Sequence, residues 1–252
     1  MILTIDIGNG SAKFAVFDGS DIVSRSRVES RRDLSIKDIS TALAGCTTDR
    51  IEGIAISNVV RELQPVFRDF AVHEINAPHI FVNHETDLGL SIQYEPPDSC
   101  GPDRLAAAFG AKHFYGAPAI VCDFGTATTI DLVDHDSIYR GGIIAPGLNT
   151  MAESLFERTS RLPKVEIGKT DSVVGASTVE SIRSGIYFGY LGMVEGIISR
   201  MRKLAGAAVI ATIATGGDAE LIAEGTDQIE FVEPDLIPKA LAEIWKRQFE
   251  GK

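Results

Sequence analysis

The apolar positions of this chain alternate between two spacings, and the alternation outlines strands and helices. Met1 to Ile5 is a short apolar run that leads into Asp6-Ile7-Gly8-Asn9-Gly10, and Lys13 to Phe17 is patterned as a second strand, with a turn at Asp18-Gly19. Asn9-Gly10 predicts a tight hairpin, because both residues tolerate positive φ. Leu34, Ile36, Ile39 and Leu43 recur at helical spacing and predict a helix over 33–44. Residues 51–57 alternate as a strand, 61–72 predict a helix and 79–82 a short strand. Residues 86–100, with Pro96 and Pro97, predict a loop, and 103–115 an alanine-rich helix.

The pattern then restarts. Residues 119–134 read AIVCDFGTATTIDLVD, again an apolar run ending in Asp-x-Gly and followed by a β-rich run. With Asp6 on Asp123 and Gly8 on Gly125, Val16 falls on Val133, an offset of 117 residues (123 − 6). A further strand ends at Gly141-Gly142, and helices are predicted over 148–161 and 177–204. A buried-type strand over 207–214 runs into Thr215-Gly216-Gly217. A helix over 218–223, a strand over 228–232 and a closing helix over 236–248 complete the chain. The expected fold is α/β, with two related lobes at 1–116 and 117–252, each a mixed sheet flanked by helices. One hairpin needs no function, but one in each half predicts a cleft with a loop from each side.

Composition narrows the classes of function. The 252 residues are 44% hydrophobic and 23% charged, ordinary for a globular protein with ample core. A net charge of −11 without a Lys/Arg patch argues against non-specific nucleic-acid binding. Cys46, Cys100 and Cys122 have no metal or redox spacing and predict reduced thiols in a cytoplasmic protein. His79 and His84, the closest histidine pair, do not match a zinc motif. The N-terminal apolar run lacks a basic region before it, which argues against a signal peptide. The longest apolar stretch, 205–214, is too short to span a bilayer, so no membrane partner is expected.

Two phosphate-loop signals fail on spacing. Gly168-Lys169-Thr170 ends like a P-loop, but Pro163 stands where the first glycine belongs. Gly8 to Lys13 starts like a dinucleotide fingerprint, but Lys13 replaces the third glycine and a β-pattern follows. The Asp-x-Gly pair remains. Glycine lets backbone N–H groups approach a phosphate, and a carboxylate next to a phosphate requires a cation between them. Asp6 and Asp123, with Lys13, Thr126 and Thr128 nearby, are therefore candidates for an ATP–metal clamp.

The two hairpins resemble those of the acetate and sugar kinase/actin superfamily, and the fuller motif set resembles the type III pantothenate kinases. The matching pieces are DIGN at 6–9 with Lys13, GPDR at 101–104, DFGTATTID at 123–131, and GGIIAPG at 141–147. RTSRLP at 158–163, STVESIRSGIYFG at 177–189 and TGGDA at 215–219 follow in the family's order. The chain departs at Gly10, where the family usually has Thr, and at Arg158, where many members have His.

The resemblance implies ribonuclease-H-like lobes with ATP in the cleft, and phosphorylation of pantothenate to 4'-phosphopantothenate, the first step of coenzyme A biosynthesis. It implies Asp103 as general base, with Tyr94, Gly101, Pro102, Arg104 and Thr178 as substrate contacts. Asp6, Ile7, Gly8, Asn9, Gly10, Ser11, Ala12, Lys13 and Thr126 would contact ATP, with Mg²⁺ as cofactor. Asp123 would bind a monovalent cation, K⁺ or NH₄⁺, and Thr215-Gly216-Gly217 would lie against adenosine. It further implies a homodimer through the helix from Ser177, with 158–163 reaching the neighbour's substrate site. Bland roles stand beside these. Asp103 is also placed as a helix-start carboxylate favoured by the macrodipole. Arg104 could be a surface helix residue, Tyr94 a loop aromatic over the core, Thr178 part of a helix cap and the Asp123–Thr126 stretch a plain turn. Gly10 also leaves room for a non-catalytic regulator of the same fold that binds nucleotide or pantothenate.

Overall fold

The computed structural model describes residues 1–46, 50–206 and 211–250. In chain order the first elements are β1 (Ile2–Ile7), β2 (Ser11–Asp18), β3 (Asp21–Glu29), α1 (Ile36–Ala42), β4 (Gly53–Asn58), α2 (Gln64–Asp69), β5 (His79–Phe81), β6 (Ser91–Ile92) and α3 (Pro102–Tyr115). Then come β7 (Ala119–Phe124), β8 (Ala127–Val133), β9 (Ile138–Pro146), α4 (Leu148–Arg158), α5 (Thr178–Ala205), β10 (Ala211–Thr215), α6 (Ala219–Ala223), β11 (Phe231–Val232) and α7 (Leu236–Phe249). They form two units: Met1–His113 with the chain from Leu236 onward, and Phe114–Asp235.

In the first unit the strand order is β3-β2-β1-β4-β5. The first hairpins are antiparallel, and β1, β4 and β5 run parallel. Leu3, Ile5, Ile7, Phe14 and Val16 alternate onto one face and pack with Ile54, Ile56, Phe67 and Phe70. The other face of β1 and β4 is covered by α7. Trp245 lies so close to Gly53 that a Cβ there would stand 1.9 Å from its ring. The sequence pattern places 236–252 in the second lobe, whereas the structure packs α7 on the first sheet. Its buried stripe of Leu236, Ile237, Ala240, Leu241, Ile244 and Trp245 says that it must cover a sheet, not which one.

The second unit repeats the plan, with β9, β8, β7, β10 and β11 side by side in that order. β7–β9 are antiparallel neighbours and β10 and β11 run parallel to β7. Ile120, Cys122, Phe124, Ile130 and Leu132 pack against Ile186, Tyr190, Val194 and Ile198 of the 28-residue α5. Much of the apolar load of that helix is thus spent within its own unit.

The ladder register corrects the internal alignment. Ile2 faces Phe17 and Ala119 faces Val133, so the counterpart of Val133 is Phe17, not Val16. The last paired rungs are Ile7–Ala12 and Phe124–Thr128, which makes the second loop one residue shorter.

Several boundaries also move. Ser35 and Asp38 form a capping box that starts α1 at Ile36. The helix expected over 61–72 is broken into a 3₁₀ turn, α2 and a π-helical turn ending at left-handed Asn76. β9 continues through Gly141-Gly142 to Pro146, and α4 stops at Arg158, where Thr159 turns extended. The strand expected over 228–232 is only Phe231–Val232. Of the strand expected over 207–214, residues 207–210 lie outside the described residues, and β10 continues to Thr215.

Candidate active site

The end of β1 carries Asp6, half-buried, in register with Lys13 on β2 and Ser57 on β4. Burial and the nearby charge of Asp103 push the Asp6 carboxyl up to about 6, against the opposing pull of Lys13 and the Ser57 hydroxyl. The fold thus brings Asp6, Lys13 and Asp103 together within one unit. In the loop that follows, the Gly8 N–H donates to the Ser11 carbonyl at 3.1 Å. The loop is not the expected positive-φ hairpin. Neither Asn9 nor Gly10 has positive φ, because four residues, Gly8 to Ser11, span the turn. A Cβ at Gly10 would meet nothing within 4 Å, so the usual Thr would fit here without backbone strain. Ser11 begins β2 and Ala12 is buried, whereas Lys13 is exposed.

Asp103 lies in the first turn of α3 and accepts the Arg104 N–H on Oδ1 at 2.8 Å. The carboxylate curls back over Gly101, where a Cβ would stand 2.4 Å from Oδ1, so Gly101 makes that approach possible. Pro102 opens the helix, a position that suits its missing N–H. Arg104 is not a surface helix residue: it is 4% exposed. Its guanidinium lies over the half-buried Tyr94 ring at 5.4 Å and donates to the Tyr94 hydroxyl at 3.2 Å. Tyr94, Gly101, Pro102, Asp103 and Arg104 therefore form one neighbourhood.

In the second unit the Gly125 N–H donates to the Ala127 carbonyl at 3.1 Å, a counterpart of the Gly8 contact. The Thr126 carbonyl accepts from the Gly147 N–H and the Thr150 hydroxyl, while the Thr126 side chain is exposed. Asp123 sits against Gly216, where φ is +92° and a Cβ would stand 2.4 Å from its Oδ1. Asp218, just beyond, is raised by burial. Behind the loop Tyr190 bonds Thr128, and burial pushes its phenol up to about 12. Thr178 stands exposed at the start of α5, where it lines a groove of about 780 Å³ with Leu155, Leu162, Ile182 and Ile186. Ser177 caps that helix by accepting the Glu180 N–H at 3.2 Å.

Sequence reading missed Ser57, Tyr190 and Asp218 as members of these sites. Ser57 is a small polar residue ending an apolar strand, and Asp218 follows Thr215-Gly216-Gly217, so both left a local signal. Tyr190 is lost among the apolar residues of α5. Among the described residues no cysteine forms a disulfide, and no helix is long and apolar enough to cross a membrane.

Two sheets of one strand order, each opening with an Asp-x-Gly hairpin, define the acetate and sugar kinase/actin class of fold. Solved structures agree on the fold. A protein from Campylobacter jejuni described as a Baf family transcriptional activator superposes with a TM-score of 0.65 at 21% identity, covering 99% of this chain and 100% of that one. One from Sinorhizobium meliloti described as a 2-dehydro-3-deoxygalactonokinase gives 0.57 at 12% identity, covering 98% and 99%. The sequence is more particular. A family model for type III pantothenate kinase matches residues 2–200. The type III pantothenate kinase of Acidiphilium cryptum is 41% identical over 247 residues, 96% of this chain and 92% of the relative. The chain belongs to the type III pantothenate kinase family.

Proposed function

We infer that this chain is an ATP-dependent pantothenate kinase, which transfers a phosphoryl group to the primary hydroxyl of pantothenate and yields 4'-phosphopantothenate for coenzyme A biosynthesis. The observation that carries the reading is Asp103 held beside Asp6, with Lys13 opposite on β2, in a chain of this family. Asp103 takes the hydroxyl proton as attack on the phosphoryl group develops. Its seat on a helix start favours the ionised form that a base needs. Arg104, with Tyr94 against it, offers a cation to the substrate carboxylate. Gly101 and Pro102 shape that neighbourhood, and Thr178 is a further substrate contact.

Residues 6–13 and Thr126 are assigned to the phosphates, and Thr215-Gly216-Gly217 to adenosine, on their match to the family pattern. Asp6 fits a divalent cation: it is a hard oxygen donor, half-buried beside another carboxylate, with its charge incompletely offset. Mg²⁺ held there would neutralise phosphate charge. Asp123 is assigned to K⁺ or NH₄⁺ on its match to the family pattern. Positioning and electrostatics supply most of the rate enhancement, as phosphoryl transfer requires.

The active form is a homodimer of a cytoplasmic enzyme. On α5, Gly185, Gly189 and Gly192 recur on one face, and a Cβ at each would meet nothing within 4 Å. Exposed Phe156, Val173, Val174 and Val179 in the same unit add apolar area for a second copy, and residues 158–163 reach its substrate site. A coupled assay of ADP release, with and without pantothenate, tests the activity. Release only with pantothenate is expected, and pantothenate-independent or absent release overturns it. Exchanging K⁺ for a large organic cation at fixed ionic strength should lower the rate, and an unchanged rate removes the assignment of Asp123.

A further inference from the structure

The rung that closes the second hairpin is held from behind. Phe124 and Thr128 face each other as the last pair of the β7–β8 ladder before Gly125, Thr126 and Ala127. Both are fully buried and both meet one residue of α5, Tyr190, itself 1% exposed. The Tyr190 ring packs on Phe124 with centroids 6.1 Å apart, and its hydroxyl is bonded to that of Thr128 across 62 residues of chain. Alternation along β7 puts Asp123 on the opposite face of the strand from Phe124. Tyr190 therefore grips the rung from which both Asp123 and the exposed Thr126 extend.

We propose that Tyr190 is a positioning residue for the nucleotide: by gripping Phe124 and Thr128 it sets the conformation of the Gly125–Thr126 turn. The proposal rests on the reading of that turn as a phosphate loop. A buried ring can fill space anywhere in this core. A hydroxyl pair that bridges a helix to the closing rung of a loop adds direction, because a buried hydroxyl left without its partner is costly and relaxes by moving the strand end. Loosening the rung lets the turn sample conformations that lose the bond from the Gly125 N–H to the Ala127 carbonyl and no longer hold the exposed Thr126 in place, and binding is weakened by the fraction lost.

The test compares wild type, Tyr190→Phe, Thr128→Val and the double variant. Each is followed by KM for ATP, KM for pantothenate, kcat, calorimetric affinity for a non-hydrolysable ATP analogue, and thermal melting. Tyr190→Phe keeps the ring on Phe124 and removes only the hydroxyl. It should raise KM for ATP and weaken the analogue by roughly 3–10-fold, the worth of one hydrogen bond. KM for pantothenate and kcat should change less than about twofold. Thr128→Val should lose the same affinity, and the double variant no more than either single one, as expected when both remove one contact. A lower melting temperature with unchanged analogue affinity would make Tyr190 a packing residue only, and additive losses would also overturn the proposal. If wild type binds the analogue but does not turn over with pantothenate, the kinase reading fails while the affinity comparison still decides this one. If wild type does not bind the analogue, both fail.

Discussion

At the scale of single residues, Asp6 is held in a setting that resists its charge. Its pKa of about 6 means that the folded state binds this proton more firmly than the unfolded chain does, whose value is 3.8. The stability contribution is therefore fully present below about pH 4 and is lost as the pH rises through 6. Asp6→Asn keeps the neutral shape at every pH. It should stabilise the protein by on the order of 1–3 kcal/mol at pH 8, and the gain should vanish near pH 4. Urea unfolding at the two pH values checks this; equal effects at both would mean that Asp6 is not strained by burial and Asp103. The same substitution should abolish most turnover, since it removes the proposed metal ligand. Asp103→Asn keeps a polar helix start but no base, and should lower kcat by roughly 10²–10⁴-fold with ATP binding nearly intact. Near-normal kcat would leave Asp103 a helix-start residue only. The identity of both carboxylates was legible in the two motifs. Their mutual influence was not, because it depends on a distance across 97 residues of chain (103 − 6).

At the scale of elements, the contact between α7 and β4 has a built-in reporter. Trp245 is the single tryptophan, and its indole occupies the space above Gly53 and donates to the Pro78 carbonyl at 3.4 Å. Gly53→Ala puts a methyl where the ring stands, and overpacking of this kind costs about 1–3 kcal/mol. Tryptophan emission should shift to the red as α7 is displaced, and the denaturation midpoint should fall. An unchanged spectrum and midpoint would show that the ring can shift without loss. Elements with a strong period were readable: α3, α5 and the paired hairpins stand close to their expected places. The stretch 61–75 was not, because its apolar residues satisfy helical spacing while the backbone passes through three different hydrogen-bond patterns.

At the scale of the whole molecule, the proposed homodimer rests on the open glycine face of α5. Gly189→Leu would place a branched side chain on a face that is open in the isolated chain. It should leave the melting of the fold nearly unchanged and shift sedimentation from dimer towards monomer, with turnover falling in parallel. A fully active monomer would remove both the interface and the role given to 158–163. Apolar residues were legible in α5 from the sequence, in excess of one stripe. Their division was not: Ile186, Tyr190 and Val194 serve the core of their own unit, while the glycines between them stay outside.

By itself the sequence determined most of the strands and helices, the duplication, the two Asp-x-Gly loops and the ordered motifs of a type III pantothenate kinase. Those are local patterns, written in periods of about 2 and 3.6 residues or in contiguous motifs, and they need no knowledge of distant partners. Tertiary structure alone decided that α7 completes the first unit, that the second loop is one residue shorter, that Arg104 is buried under Tyr94, and that Tyr190 holds the rung behind Gly125. Each depends on which remote side chains share a volume, and the free energy of that sharing comes from burial and desolvation, which exist only once the chain has closed on itself.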